Sequence, residues 1–112
     1  MKGTYLGEFE EIVLLTIGVL QDDAYGVAIK LEIEKRTARK PSIGALHSAL
    51  SRLEDKGFIE SHEGGATQSR GGRRKRFYQI TASGKQTLIK ANQLRNELFN
   101  LIPNLTMQST DQ

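Results

Sequence analysis

The sequence predicts a mainly α-helical winged helix-turn-helix with a small β-hairpin, followed by one C-terminal helix. Three observations support this fold class. Apolar residues recur at helical spacing between Ser42 and Lys56, two short strand-like runs follow, and a basic, glycine-rich segment separates those runs. A second helical pattern, Ala24–Thr37, precedes Ser42 after a short connector and completes a helix-turn-helix. We expect three regions: the helix-turn-helix and wing in residues 1–81, a dimerisation helix in 82–103 and a flexible tail in 104–112.

The helix from Ser42 to Lys56 has one apolar face and one small, polar face. Its apolar residues are spaced by three, four and three positions, which predicts a buried side made of Ile43, Leu46, Leu50 and Leu53. Ser42 is a suitable N-cap, and Gly57 stands where a glycine often ends a helix. The opposite face, small enough to approach another molecule closely, carries Gly44, Ala45, His47, Ser48, Ser51 and Arg52.

The hairpin after this helix concentrates positive charge at its tip. The predicted strands are Phe58–Ser61 and Arg76–Ile80, and four glycines lie in the loop between them. Five cations occur within seven residues, namely Arg70, Arg73, Arg74, Lys75 and Arg76. Their mutual repulsion favours an anionic partner, although a solvated loop that merely keeps the hairpin soluble is the alternative. Where the loop meets the second strand, we expect Lys75 or Arg76 to point inward or to extend along the surface.

The positive charge is confined to one region of the chain. The 112 residues have a net charge of +3, but residues 39–76 contain nine Lys and Arg against four Asp and Glu, whereas the remainder contains seven against nine. This asymmetry is typical of a nucleic-acid-binding module. No amphipathic helix with large apolar residues accompanies the arginines, so a membrane partner is not expected.

Composition and motifs argue against several other classes. The chain has no Cys, no apolar run long enough to cross a bilayer and no signal-peptide pattern, so we expect a soluble, cytoplasmic protein. We expect no metal and no cofactor, because there are only two histidines and no phosphate-binding glycine motif precedes a helix. His47, Ser51 and Asp55 share one helix face, where they cannot surround a substrate atom, so an enzyme is not expected.

Two further helices carry more apolar surface than a small domain can cover. The first, Glu8 to Gln21, is apolar nearly all round beyond its N-terminal glutamates. The last is capped by Thr81 or Ser83 and continues to about Ile102, where Pro103 follows. It can fold back on its own domain or form a coiled-coil-like contact with a second subunit, and we favour the second arrangement. The residues predicted to form this homodimer contact are Phe9, Val13, Ile17, Leu88, Ala91, Leu94, Leu98 and Leu101.

The candidate DNA contacts come from the Ser42–Lys56 helix, the linker before it and the basic loop. A helix of this size fits the major groove. Arg52 can contact a phosphate or a guanine, and its alternative is a surface ion pair with Asp55 or Glu54. The small polar residues permit close approach to DNA, although they can also be ordinary cap and surface residues. The predicted DNA-binding residues are Lys40, Ser42, Gly44, His47, Ser48, Arg52, Arg70, Arg73, Arg74, Lys75 and Arg76.

Three segments together resemble the PadR-like family of winged-helix transcriptional regulators. Ala24-Tyr25-Gly26 resembles the start of the family's second helix, residues 42–59 are similar to its recognition helix and following strand, and residues 72–84 resemble its wing strand and the entry to its last helix. One difference is His47, because the family usually has tyrosine at this point.

The resemblance implies a bacterial homodimer that binds double-stranded DNA at an inverted-repeat operator, usually as a repressor. It implies dimerisation through the last helix with help from the first and, in some members, release of DNA by a phenolic or other apolar small molecule. Two alternatives stay open. One is an RNA- or ribosome-associated winged-helix protein, which would prefer structured RNA. The other is a protein-interaction module that docks its basic loop on an acidic partner and binds DNA weakly at every salt concentration.

Overall fold

The computed structural model describes residues 5–64 and 75–105, which form four α-helices and a two-stranded sheet. In chain order the elements are α1 Glu8–Leu20, a 3₁₀ turn Gln21–Asp23, α2 Gly26–Arg36, α3 Ile43–Asp55, β1 Ile59–Glu63, β2 Arg76–Ile80 and α4 Ala82–Leu101. This order confirms the predicted fold class, a mainly α-helical winged helix-turn-helix with a terminal helix.

Helix α1 lies at the centre of the fold, since it packs on α2, α3, α4 and β2. Val13 and Ile17 of α1 are 0% and 1% exposed in the single chain. Their predicted contact with a second subunit is therefore corrected, because the chain's own helices already cover this face. The apolar residues that α1 leaves exposed are Leu15 and Val19.

Both ends of α3 are defined by the residues that the sequence indicated. The Ser42 hydroxyl accepts a hydrogen bond from the Ala45 amide over 3.0 Å, which caps the first turn. At the other end Gly57 has a φ of +82°, and the Phe58 amide donates to the Leu53 carbonyl oxygen over 3.0 Å. This left-handed glycine reverses the chain and sends it directly into β1.

The buried face of α3 differs from the predicted one at its start. Leu46, Leu50 and Leu53 are buried as expected, but Ile43 is 47% exposed and Ala49 is fully buried. Positions 46, 49, 50 and 53 follow one line along the helix that faces the core, and Ile43 lies at the edge of that line.

The wing is an antiparallel hairpin that is attached to the start of α2. Tyr25 forms an isolated bridge with Phe77, and the Tyr78 amide donates to the Ala24 carbonyl oxygen over 2.9 Å. Because Ala24 and Tyr25 pair with β2, α2 begins at Gly26, two residues later than predicted. The register of the hairpin pairs Ile59 with Ile80, Glu60 with Gln79, Ser61 with Tyr78, His62 with Phe77 and Glu63 with Arg76.

Helix α4 begins at a threonine cap and leaves much of its apolar surface uncovered. The Thr81 hydroxyl accepts from the Gly84 amide over 3.0 Å, so Thr81 and not Ser83 caps the helix. Of the predicted tail, only Asn104 and Leu105 lie within the described residues. No helix in the described part of the chain is long and apolar enough to span a membrane. The large apolar residues that α4 and the turn after it leave exposed are Ile89, Leu94, Leu98, Phe99, Leu101 and Ile102.

Candidate nucleic-acid interface

The outer face of α3 is open to solvent and consists of small or polar side chains. Ser42, Gly44, His47, Ser48 and Arg52, all predicted DNA contacts, are exposed. The acidic residues of the helix stand at its C-terminal end, so the first two turns present a surface without negative charge. Such a surface can enter a groove between phosphate backbones.

His47 stands where α3 passes the start of α2. A β-carbon placed on Gly26 would lie 4.0 Å from His47 Cε1, so the imidazole is close to the backbone of α2 while it remains exposed. Lys40, in the linker before α3, is exposed as well. Lys40 and His47 therefore lie at the N-terminal half of α3, and their contact with DNA stays a prediction.

Arg52 is held by an ion pair with a different helix. Its Nε donates to Glu10 Oε2 over 2.6 Å, and Lys56, the residue that directly follows α3, donates from Nζ to Glu10 Oε1 over 2.7 Å. The partner of Arg52 is therefore Glu10 of α1, not Asp55 or Glu54 as the alternative reading of the sequence suggested. Lys56 is mostly buried, with 15% of its side chain exposed, whereas Arg52 retains 52% exposure.

The environment of Glu10 favours its ionised form. Burial of the carboxyl is the largest single influence and raises its pKa, but hydrogen bonds from Lys56, Arg52 and the Gly7 amide together outweigh it. The pKa of Glu10 therefore lies below its ordinary value of 4.5. At neutral pH the site holds one carboxylate between two cations, and it joins α1 to α3.

Glu10 is one of three acids in the first turn of α1 that connect this helix to other elements. Glu8 pairs with Arg39 in the linker before α3, and Glu11 pairs with Arg95 of α4, each with 2.5 Å between nitrogen and oxygen. Acids in the first turn of a helix also interact favourably with the helix dipole. The partners of these three glutamates lie 31, 42 and 84 residues away, so no local spacing in the sequence signals the pairs.

The base of the wing is an aromatic cluster. The ring centroids of Tyr25 and Phe77 are 5.5 Å apart in an edge-to-face arrangement, and His62 stacks on Phe77 with centroids 5.9 Å apart. Lys75 Nζ lies 4.2 Å from the centroid of Tyr25. A β-carbon on Gly64 would lie 2.1 Å from a carbon of the Phe77 ring, so a side chain at this position would displace the ring. The cluster fixes the two positions from which the basic loop leaves and returns.

Two of the five basic residues of the wing, Lys75 and Arg76, lie within the described residues. Arg76 is exposed and its Nη1 donates to Ser61 Oγ over 3.0 Å, while Lys75 extends along the surface over Tyr25. Neither side chain points inward. The predicted DNA contacts at Arg70, Arg73 and Arg74 lie outside the described residues.

An open groove of about 450 Å³ runs beside α3. It is lined by one aromatic residue of α1, by three residues of the linker before α3, two of them cations, and by one small residue of α3, namely Phe9, Arg39, Lys40, Pro41 and Ala45. Within residues 5–64 and 75–105, no three His, Asp or Glu side chains lie close enough together to bind a metal ion.

A helix-turn-helix with an exposed second helix and an attached basic hairpin defines a winged-helix DNA-binding protein. The family model described as "Transcriptional regulator PadR-like family" matches residues 14–90, more than half of the chain. The chain belongs to the PadR-like family and is, as a member of it, a DNA-binding transcriptional regulator. The family is one of regulators and not of enzymes.

Solved structures agree with this assignment. A PadR family transcription regulator from Clostridium difficile R20291 is 27% identical, with 83% of this chain and 96% of that chain covered and a TM-score of 0.64. A transcriptional regulator from Clostridium thermocellum is 24% identical, with 86% and 90% covered and a TM-score of 0.64. A PadR-like transcription factor from Bacteroides fragilis is 22% identical, with 80% and 82% covered and a TM-score of 0.67. The latter two show a shared fold alone. Among proteins of curated function, none matches the chain significantly.

Proposed function

We propose that this chain is a homodimeric repressor that recognises an inverted-repeat operator in double-stranded DNA. The observation that carries the proposal is the exposed, small and polar face of α3, which lies beside a hairpin whose loop concentrates arginine. In the proposed complex α3 enters the major groove, and the wing meets flanking phosphates or the minor groove. A protein that binds operator DNA shares a compartment with it, so a cytoplasmic location is part of the proposal.

The homodimer rests on the apolar surface of α4. Leu94 and Leu98 stand one turn apart and are exposed, and Leu101 continues the same stripe. A single chain leaves these residues in water, whereas pairing of two α4 helices would bury them. Two copies related by a two-fold axis would present two α3 helices to two operator half-sites, which is why an inverted repeat is the matching DNA.

We further propose that a small apolar or phenolic molecule releases the chain from DNA. The groove lined by Phe9, Arg39 and Ala45 supports it, because it is open, partly aromatic and in contact with the N-terminal half of α3. A ligand there would be close enough to α3 to alter its approach to DNA. Titration of an operator complex with phenolic compounds, followed by the fraction of free DNA, tests this part separately.

The proposal is tested by nuclease footprinting on the DNA upstream of the gene for this chain and its neighbours. Two protected half-sites with dyad symmetry, about ten base pairs or a multiple apart from centre to centre, are expected. A promoter fusion that carries the protected site should lose expression when the chain is present. Protection of one unsymmetrical site would argue against the homodimeric operator complex, and increased expression would argue for an activator.

Two alternatives would appear as other outcomes of the same assay. A chain that ignores duplex DNA but binds structured RNA would be an RNA- or ribosome-associated protein. A chain that binds duplex DNA weakly and equally at all salt concentrations would use its basic wing for an acidic protein partner, since phosphate contacts make binding salt-dependent.

A further inference from the structure

We propose that Glu10 is a positioning residue for DNA binding, which holds Arg52 at the α1 side of α3 so that the guanidinium meets a DNA phosphate. The inference rests on the proposed function, because it names how one side chain of that interface is held in place. Glu10 itself does not touch DNA in this arrangement.

Glu10 is surrounded by more positive charge than it can neutralise. Glu10 carries one negative charge and receives hydrogen bonds from two cations, Lys56 and Arg52. Lys56 is mostly buried and is also bonded to the Tyr5 carbonyl oxygen over 2.5 Å, so its ammonium is committed to the protein. One buried cation is enough to neutralise Glu10. The charge of Arg52 is therefore in excess, and it lies on the side chain that is half-exposed.

Glu10 contacts Arg52 at only one end of its guanidinium group. The contact with Glu10 uses Nε of Arg52, the nitrogen nearest the aliphatic stem, while 52% of the side chain stays accessible to solvent. A guanidinium that is fixed through Nε can present its distal amino groups to an anion. Because Glu10 is itself held by the Gly7 amide over 3.1 Å and by Lys56, the carboxylate cannot follow Arg52 freely. The orientation of Arg52 is thus set before DNA arrives.

Arg52 lies at one edge of the outer face of α3. Arg52 reaches α1, whereas His47 lies close to the start of α2, so these two side chains mark opposite edges of the outer face. Gly44, Ser48 and Ser51 are exposed between them. When this face lies in the major groove, its edges meet the sugar-phosphate backbone and its middle meets the bases. Arg52 is consequently a phosphate contact and not a guanine contact.

The test is a double-mutant cycle in DNA binding, with Glu10→Asp as the probe. Asp keeps the charge but is one methylene shorter, so the variant changes the geometry of the site without changing the net charge near DNA. Duplex DNA carrying the footprinted site is titrated with wild type, Glu10→Asp, Arg52→Ala and the double variant. Thermal unfolding of each protein fixes a temperature at which all four are folded.

We expect Glu10→Asp to weaken binding about threefold to tenfold in the wild-type background and by less than about twofold in the Arg52→Ala background. Arg52→Ala should weaken specific and random DNA alike and lower the salt slope by about 0.9, the contribution of one phosphate. An equal loss from Glu10→Asp in both backgrounds, or no loss in either, would overturn the inference.

A second measurement uses the unaltered protein and covers the case in which Glu10→Asp does not fold. The Arg52 Nε–H resonance is followed by NMR in the free and the DNA-bound chain. A retained, slowly exchanging proton in both states is expected, because Nε stays bonded to Glu10 while the distal groups take the phosphate. A proton that becomes fast-exchanging on DNA binding would mean that the carboxylate lets go, which contradicts a positioning role.

These outcomes separate the inference from the proposed function. If wild type binds the operator and Arg52→Ala binds it equally well, the role of Arg52 and Glu10 fails while the regulator stands. If wild type binds no duplex DNA under any of the salt conditions, both proposals fall together.

Discussion

Gly84 of α4 packs so closely on Phe58 that a β-carbon at Gly84 would lie 2.2 Å from the Phe58 carbonyl oxygen. The same carbonyl accepts a hydrogen bond from the Thr81 amide over 3.0 Å. The start of α4 therefore packs directly against the segment that links α3 to β1. This close packing requires that residue 84 has no side chain. The direction in which α4 leaves the DNA-binding unit depends on this contact.

The first prediction concerns this close approach. Gly84→Ala should lower the free energy of unfolding by about 2 kcal/mol, because backbone would have to move to make room. The loss is expected although alanine favours a helix interior by about 1 kcal/mol over glycine. Urea unfolding followed by circular dichroism measures the difference.

Gly44→Ala in α3 is the matched control for that prediction. Gly44 is also helical, but it is exposed and the nearest atom to an added β-carbon is 4.0 Å away. This variant should gain up to about 1 kcal/mol. Equal stabilities of the two alanine variants would contradict the packing described at Gly84.

The second prediction concerns the dimer. Leu94→Asp combined with Leu98→Asp should convert the protein to monomers, because two charges would enter the apolar stripe of α4. Sedimentation velocity measures the change in mass, and operator affinity should fall with it. The paired variant Val27→Asp and Leu31→Asp on α2 is the control, since these residues are 56% and 58% exposed and Leu94 and Leu98 are both 56% exposed. If both pairs leave the dimer intact, the contact between subunits lies elsewhere.

The third prediction concerns acid stability. Since the folded-state pKa of Glu10 lies below 4.5, the ionised carboxylate stabilises the fold above the pKa of the unfolded chain. This contribution is lost as the pH falls through the lowered pKa. The difference in unfolding free energy between wild type and Glu10→Gln should be about 2 kcal/mol near pH 7 and should shrink below about pH 4.5.

Chemical unfolding at a series of pH values measures this difference, and Glu60→Gln on β1 controls for the loss of one exposed acid. A difference between wild type and Glu10→Gln that stays constant down to pH 3 would contradict a lowered pKa of Glu10, because the stability contributed by the carboxylate would then not depend on its ionisation.

The fourth prediction concerns the wing. Arg73→Ala combined with Arg74→Ala should weaken operator and random DNA together and should lower the salt slope by about 0.9 for each phosphate contact that is lost. Fluorescence anisotropy between about 50 and 200 mM salt measures the slope. Lys85→Ala with Lys90→Ala on α4 removes the same charge away from α3 and should leave the slope unchanged. Unchanged binding by the wing variant at every salt concentration would remove the wing from the mechanism.

Local patterns in the sequence were sufficient for the fold class and for the two ends of α3. The 3.6-residue period, the Ser42 cap and the left-handed Gly57 are properties of neighbouring residues, so the sequence displays them directly. The strand Arg76–Ile80 was predicted with its observed bounds. The predictions were wrong where a distant segment of the chain determines the local structure. Ala24 and Tyr25 stand before the helix and not in it, because β2, some fifty residues later, contacts both through a bridge and a backbone hydrogen bond.

The same limit explains what was missed at the site. A cation on a helix is expected to pair with an acid close by on the same helix, which is why Asp55, three residues away, and the adjacent Glu54 were the candidates for Arg52. Its partner in the structure, Glu10, lies 42 residues earlier and becomes a neighbour only when α1 packs on α3. Likewise, because α1 is apolar on nearly every side, its sequence does not indicate which side packs within the chain. In the structure Val13 and Ile17 are core residues.

We propose that the exposed face of α3 and the basic wing bind duplex DNA specifically. The most direct measurement is the affinity of the purified protein for a duplex from its own upstream region, compared with a shuffled duplex of equal length, by fluorescence anisotropy across a salt series. We predict a tighter complex with the upstream duplex at every salt concentration, two chains per duplex, and affinities that fall steeply as salt rises. Equal affinity for both duplexes, or affinity that does not change with salt, would contradict the claim.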